Sequence, residues 1–343
     1  KDIDLELEKW IGKSLRKEEA KEITDVDEVK FKSQFNSDIH KMITMKDEIN
    51  LYLDLERMSA DTEGTISHKF ANEMMNKYPQ IRVNNIYSKI GELRLKKSPQ
   101  EVEKIKKAIE ITKSGIEKLM TECRSGMKEY ELEAYFDFNC KIKGATDLAF
   151  TTIAAAGKNA TTLHYVENNS KLKDGDLILF DLGAEYNCYN ADITRTFPIS
   201  GKFTERQKEV YNSVLKVNEE IINLIKPGMK YKDINEKATD LIAEECIKLG
   251  LIKDKSEVRK YYYHSIGHSL GMDTHDIETP HRDIIFEPGV VFTVEPGIYI
   301  QEEGIGIRIE DDILVTNEGV INLSSDIIKS VDDIENFMNK FTK

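Results

Sequence analysis

Residues 176–199 read DLILFDLGAEYNCYNADITRTFPI, and residues 290–316 read VVFTVEPGIYIQEEGIGIRIEDDILVT. Each stretch has the pattern of two apolar, alternating strands around a turn-prone centre, Tyr186-Asn187 in the first and Gln301 to Gly304 in the second. In an antiparallel hairpin the positions of facing residues add to a constant. A turn centred between 186 and 187 therefore predicts Asp181 opposite Asp192, and one centred between 302 and 303 predicts Glu295 opposite Glu310. Facing side chains have Cβ atoms roughly 5 Å apart, where like charges repel. Two such pairs in mostly apolar strands make sense with cations between them, and oxygen-rich ligand sets suit hard divalent metals such as Mn²⁺. The expectation is a two-metal centre bridged by carboxylates.

Outward from the hairpins, the clearest boundary is Lys96-Lys97-Ser98-Pro99-Gln100-Glu101. Ser98 can cap a helix, Pro99 fits its first turn and Glu101 completes a capping box. The apolar spacing of Val102, Ile105, Ile109 and Ile116 carries that helix to about Met120. Residues 1–97 are charge-rich and read as a smaller α/β domain; residues 98–343 form the second domain. Beyond the boundary one pattern runs twice. Helix 99–123, then SGMKEYELEA opening a second helix, leads to the hairpin with two Asp. Helix 204–225, capped at Thr204–Gln207, then PGMKYKDINEKA opening another, leads to the hairpin with two Glu. Gly126-Met127-Lys128 matches Gly228-Met229-Lys230, which points to an internal duplication. Two pseudo-twofold halves would bring the hairpins face to face in an α+β fold with a metal core.

Five of the seven histidines, His164, His264, His268, His275 and His281, fall between the first hairpin's approach and the second hairpin. The segment YYYHSIGHSLGMDTHD holds three of them. His264 and His268, four apart, share one face of a strand or helix, and Gly267 and Gly271 disfavour a long helix. Position 265 is Ser, so this is not the HExxH zinc pattern. One histidine as ligand with others touching substrate fits better than a multi-histidine zinc site. His281, in TPHRDI, reads as a surface-loop residue, His40 and His68 carry no context, and Tyr261, Tyr262 and Tyr263 read as strand packing.

Composition bounds the rest. With 62 acidic and 49 basic residues the formal charge is −13, which argues against non-specific binding to nucleic acid or an anionic membrane. No apolar run approaches the ~20 residues of a membrane helix. Four scattered cysteines, Cys123, Cys140, Cys188 and Cys246, fit reduced thiols in the cytoplasm better than disulfides or a zinc site.

LHYVENNSKLKDGDLILFDLGAEYNCYNADITRTFPISGKFTERQKEVY, HSIGHSLGMDTHD, EPGVVFTVEPGIYI and GIGIRIEDDILVT resemble the metallopeptidase family that includes aminopeptidase P, prolidase and methionine aminopeptidase, and within it the aminopeptidase P branch. The resemblance covers about 98–343 and reaches weakly back to WIGKSLRKEEA. It implies a pita-bread catalytic domain after a partial N-terminal domain, since the opening KDIDLELEKW looks like a start partway through. Asp181, Asp192, His268, Glu295 and Glu310 are implied as metal ligands, with Asp192 and Glu310 bridging two divalent ions, Mn²⁺ in the family and Co²⁺ or Zn²⁺ able to substitute. The implied reaction is hydrolysis of an N-terminal Xaa-Pro bond by water shared between the ions. Glu295 would also transfer protons, and His264 and His275 would hold substrate and stabilise developing charge. Arg308, two before Glu310 and on the same strand face, would support the site, and His164 and Tyr299 would line the proline pocket.

Asp311 and Asp312 follow Glu310 directly and are rival ligands. Alternation turns Asp311 away and leaves Asp312 on the Glu310 face; the resemblance favours Glu310, with Asp312 behind it. Prolidase activity on Xaa-Pro dipeptides is the same-class alternative. A non-catalytic binding protein on this fold, possible homo-oligomer contacts and creatinase-like hydrolysis of a small C–N substrate complete the range, the last a poor fit to a complete ligand set.

Overall fold

The computed structural model describes residues 4–57, 59, 61–276 and 284–341; His281 lies outside them. The chain divides into two compact units, Lys1–Ser88 and Lys89–Lys343. The first contains α1 (Leu5–Ile11), α2 (Lys17–Thr24), α3 (Phe35–Thr44), β1 (Ile49–Leu53), α4 (Ile66–Lys77) and β2 (Ile81–Asn85), with α5 (Tyr87–Leu95) starting at its end. β1 and β2 pair in parallel through the α4 crossover, and Ile43, Met74 and Ile81 form its small core.

The larger unit continues through α6 (Pro99–Glu122), α7 (Glu129–Ile142), β3 (Asp147–Leu148), β4 (Ile153–Ala156), β5 (Leu177–Leu182), β6 (Ala184–Tyr186), β7 (Tyr189–Asn190) and β8 (Ile193–Pro198). Then follow α8 (Glu205–Leu224), α9 (Tyr231–Lys248), β9 (Val291–Val294), β10 (Gly297–Ile300), β11 (Ile305–Arg308), β12 (Asp311–Val315), β13 (Val320–Asn322) and α10 (Val331–Asn339). Helices α6 and α8 start as their sequences dictate. Ser98 and Thr204 cap them in reciprocal boxes with Glu101 and Gln207, satisfying N–H groups that the first turn leaves unpaired. Their apolar faces pack into one continuous core with the strands.

The duplication is written in hydrogen bonds. Gly126 N donates to Leu172 O as Gly228 N does to Phe286 O; Leu172 N donates to Met127 O as Phe286 N does to Met229 O; Glu129 N donates to Ser170 O as Tyr231 N does to Ile284 O. Each equivalence is offset by 102 positions on the helix side and 114 on the strand side, and 114 also separates Asp181 from Glu295. Gly126 and Gly228 both take the left-handed conformation, φ 94° and 88°, which glycine adopts without a Cβ penalty.

Register corrects one expectation. In the second hairpin Val294 pairs with Asp311 and Gly297 with Arg308, so Glu295 and Glu310 do fall opposite each other. In the first, Asp181 faces Thr194, not Asp192. The turn residues are Asn187 and Cys188, both at positive φ (49° and 66°), because a two-residue hairpin turn with left-handed residues matches strand twist. The turn centre moves by one position and the pairing by two, leaving Asp192 diagonal to Asp181. The segment around Tyr261–Tyr263 is also not a strand. It leads into an extended run that lies along β9, where Glu295 N donates to Ile266 O and Thr293 N to His268 O.

By the same register Thr194 is the counterpart of Glu310, Arg195 of Asp311, Thr196 of Asp312 and Asp192 of Arg308. These counterparts touch. Glu310 N donates to Thr194 O at 3.1 Å, and Arg195 Nη2 meets Asp311 Oδ1 at 2.7 Å. Thr196 bonds the Arg308 backbone as Asp312 bonds the Asp192 backbone. Self-equivalent contacts mark a twofold axis, here a pseudo-axis between β8 and the Glu310–Asp312 segment.

Gly183 lets the first hairpin close: a Cβ there would stand 1.8 Å from the Ala191 carbonyl oxygen. Gly183→Ala is expected to lower unfolding free energy by about 2–3 kcal/mol, read as a shift in the urea midpoint with an unchanged denaturant slope.

Candidate metal centre

The pseudo-axis brings buried carboxylates together. Asp192, His268 and Glu310 each offer a ligand atom, and these atoms lie within 4.8 Å of one another. His268 Nε2 is 3.3 Å from Asp192 Oδ2 and 4.0 Å from Glu295 Oε1. Its Nδ1 faces the Ser269 carbonyl at 3.1 Å. A proton on Nδ1 would satisfy that carbonyl and leave the Nε2 lone pair for a metal. Asp181 holds the Arg308 guanidinium by one oxygen, at 2.6 Å, while its Oδ1 and Asp192 Oδ1 are buried with no hydrogen-bond partner.

Three of these carboxyl groups have raised pKa values. Burial, then the charges of Asp181, Asp312 and Glu295, pushes Asp192 well above the usual carboxylate range. Burial, then Asp192, Glu295 and Asp181, does the same to Glu310. Burial pushes Glu295 to about 7 against the pull of His268 and Arg308. Several oxygen donors, one imidazole and orphaned carboxylate oxygens form a set that divalent cations would satisfy. The residues fit such ions.

The other predicted residues surround this cluster. His264 Nε2 meets the Tyr299 hydroxyl at 2.8 Å, its Nδ1 the Ser265 carbonyl at 2.7 Å, and Nδ1 lies 3.7 Å from Glu295. Burial, then Arg308, lowers its pKa to about 3, so the ring is neutral. His275 packs against His268 with ring centroids 3.9 Å apart and the rings tilted by 32°; burial, then His268, lowers its pKa to about 4. Arg308 is buried and bonds Asp181, Thr194 Oγ1 and the Tyr299 hydroxyl. Tyr299 is almost fully buried, its hydroxyl spanning His264 and Arg308. His164 is exposed at the mouth of a cavity of about 780 Å³ whose wall also includes Phe150, Leu163, Val166, Tyr231 and His275, with the carboxylates at its base.

Several contributors were not legible in the sequence. Thr194 donates to Glu310 Oε2 at 2.7 Å. Arg195 bonds the Glu310 and Thr194 carbonyls and the Asp311 carboxylate. Burial works to raise the pKa of Asp311, but Arg195 and Lys329 outweigh it and hold it at about 2. Asp311 is thus a charged partner behind the site, as strand alternation implied. Asp312 accepts from the Asp192 N–H at 3.2 Å, behind the predicted ligands. Lys97 and Arg94 both bind Asp276, beside His275. The partners of these groups lie far away in sequence; only the alternation signal at Asp311 and Asp312 pointed to any of them.

Comparison with known proteins gives a consistent picture. Residues 103–317 match the model of metallopeptidase family M24. The chain is 35% identical to Xaa-Pro aminopeptidase of Escherichia coli (strain K12), covering 98% of this chain and 80% of that protein. It is 36% identical to Homo sapiens Xaa-Pro aminopeptidase 3, covering 97% and 68%. Among solved structures, a Bacillus anthracis chain assigned as an aminopeptidase P superposes with a TM-score of 0.96 at 46% identity, covering 99% of this chain and 81% of that one. Zinc-substituted E. coli aminopeptidase P in complex with product gives 0.89 at 35% identity, covering 99% and 82%.

The carboxylate cluster sets a pH dependence. A carboxyl whose folded pKa is raised keeps its proton in the native state above pH ~4 while the unfolded chain has lost it, so its contribution to stability falls as pH rises. For Glu295 the window runs from its unfolded value to about 7, and Asp192 and Glu310 act in the same sense. Asp311, depressed to about 2, loses its contribution only below that window, whereas His264 and His275, lowered to about 3 and about 4, gain stability with pH up to their unfolded value of 6.5 and partly offset the three carboxyl groups there. In chelator, the melting temperature is expected to fall by at least ~5 °C between pH 5 and pH 7.5, and excess Mn²⁺ should abolish the fall. A flat profile in chelator would contradict this electrostatic picture.

Proposed function

The chain belongs to metallopeptidase family M24 and is a metal-dependent aminopeptidase, and on that premise we propose that it releases the N-terminal residue from peptides with proline second, using two Mn²⁺ ions. The carrying observation is the convergence of Asp192, His268 and Glu310 at the base of a cavity roomy enough for a peptide. Asp181 and Glu295 flank them as the remaining ligands, and the names of the relatives supply the proline specificity. The zinc-substituted relative supports exchange of the metal within one donor set. Four free cysteines support a reducing, cytoplasmic setting.

When bound, divalent ions supply Lewis acidity, polarising a carbonyl and making water nucleophilic near neutral pH. The protein's own groups do the rest. Glu295, beside the cluster and within 4.0 Å of both His264 and His268, takes the proton from the attacking water and delivers it to the leaving proline nitrogen. Neutral His264 is fixed by bonds at both ring nitrogens and holds its place beside Glu295. His275 packs on His268 and lines the cavity, positioned to hydrogen-bond the substrate carbonyl as charge develops. Arg308 orients Asp181 and Tyr299 together. An Xaa-Pro bond has no N–H to grasp, so the apolar wall of Phe150, Leu163, Val166 and Tyr231 accepts the substrate by shape.

Metal-depleted protein reloaded with Mn²⁺ is expected to cleave Xaa-Pro-Xaa tripeptides and to leave Xaa-Ala-Xaa largely intact. Turnover of the Xaa-Pro dipeptide alone would replace this reading with prolidase activity. Asp192→Ala is expected to lower kcat/KM by at least about 100-fold and to lose metal by calorimetric titration. An Asp192→Ala protein with wild-type metal stoichiometry and rate would sink the ligand assignment.

A further inference from the structure

The cavity's exposed rim is built by the loop between β4 and β5, and one buried carboxylate organises that loop without touching the cavity. Glu129, in the first turn of α7, is fully buried. Its Oε1 accepts from Ala156 N at 2.8 Å and Asn159 Nδ2 at 3.0 Å. Its Oε2 accepts from the Tyr165 hydroxyl and Ser170 N, both at 2.8 Å. Four donors fill both oxygens of a carboxylate, and all four come from residues 156–170. Asn168 adds a second tie: its side chain accepts from Ala154 N and donates to the Thr152 carbonyl and Glu133.

Between these ties the tip 162–167 is held more lightly. Leu163, His164 and Val166 face the cavity, and His164 and Val166 are exposed. Tyr165, between them, turns the opposite way to reach Glu129. Among the described residues its hydroxyl makes the only side-chain hydrogen bonds of residues 162–167. Leu163 and His164 lie in a turn, and holding the Tyr165 side chain inward constrains the backbone that carries His164 and Val166 on either side of it.

We propose that the Glu129–Tyr165 hydrogen bond is a positioning device that holds His164 and Val166 over the cavity and so sets affinity for the peptide. Neither Glu129 nor Tyr165 lines the cavity or belongs to the group of residues that offer metal-ligand atoms. The proposal rests on the cavity being the peptide site.

Tyr165→Phe removes one hydroxyl and leaves three bonds to Glu129 intact, so the fold should persist. In the Mn²⁺-loaded full chain, KM for an Xaa-Pro-Xaa tripeptide is expected to rise about fivefold, with kcat within about twofold and metal affinity unchanged. In a His164→Ala background the same substitution should raise KM by less than about twofold, because the side chain it positions is gone. Backbone amide exchange of residues 162–167 should accelerate in Tyr165→Phe without substrate present. Glu129→Gln, which sets an amide donor against two existing donors, should give the same KM effect with a lowered melting temperature. An unchanged KM in Tyr165→Phe, an equal factor in the His164→Ala background, or unaltered exchange of 162–167 would each overturn the proposal. If the wild type turns over no Xaa-Pro-Xaa peptide, the function falls instead, and the exchange measurement still decides the anchor.

Discussion

Carboxylates buried against one another govern this molecule. Asp192 and Glu310 are almost inaccessible, with Asp181 and Glu295 little more exposed. Without cations the pocket holds protons that the unfolded chain would release, and each retained proton is stability lost at neutral pH. Among the described residues a single buried cationic side chain, Arg308, reaches this group, and it is committed to Asp181, Thr194 and Tyr299. Arg195 and Lys329 neutralise Asp311 on the far side. The protein therefore balances the charge behind its site and leaves the charge inside it unbalanced, which is the condition under which divalent metal is bound rather than excluded.

The supporting shell is polar, buried and nearly complete. Arg195 gathers the carbonyls of Thr194, Glu310, Ile327 and Ile328. Asn218, reached by Lys329, donates to the carbonyls of Val294 and Ile309, each next to a predicted ligand. On the other flank the buried Lys97–Asp276 pair fixes the chain beside His275, while Ser269 and Asp276 exchange bonds that close the loop between the two histidines. Backbone held on both sides of a ligand leaves that ligand little freedom, and such preorganisation is what precise metal geometry requires.

How much of this the sequence carried depended on range. The capped helices, the second hairpin's register, the repeated GMK turns and the five predicted ligands rest on local signals: caps, alternation, turns and motif wording. The first hairpin's register did not, because Asn187-Cys188 and Tyr186-Asn187 are both plausible turn centres by composition, and only the left-handed backbone at Asn187 and Cys188 decides between them. Tyr299 had no local signal separating a wall position from its place between His264 and Arg308. The roles of Thr194, Arg195, Glu129 and Lys97 were invisible for one reason. Each is defined by partners many positions away, and pairing at that distance is fixed by topology rather than by pattern.

The corrected register also explains why the two halves could not stay alike. On a twofold axis each residue meets its own copy, so a duplicated acid there would face an identical acid at hydrogen-bond distance. Here the on-axis positions have become complementary: Arg195 against Asp311 as an ion pair, Thr194 against Glu310 as donor and acceptor. One step off the axis, Asp192 in one half stands where Arg308 stands in the other. The divergence places an acid among the ligands from one strand and a base behind them from the other. With Thr196 against Asp312 as the fourth pair, an exact repeat of the second half would have put six carboxylates at these positions, and of the first half only two, both Asp192. Departure from symmetry at these four pairs, more than the duplication itself, turns two similar hairpins into one asymmetric site with distinct positions for metal, proton carrier and substrate.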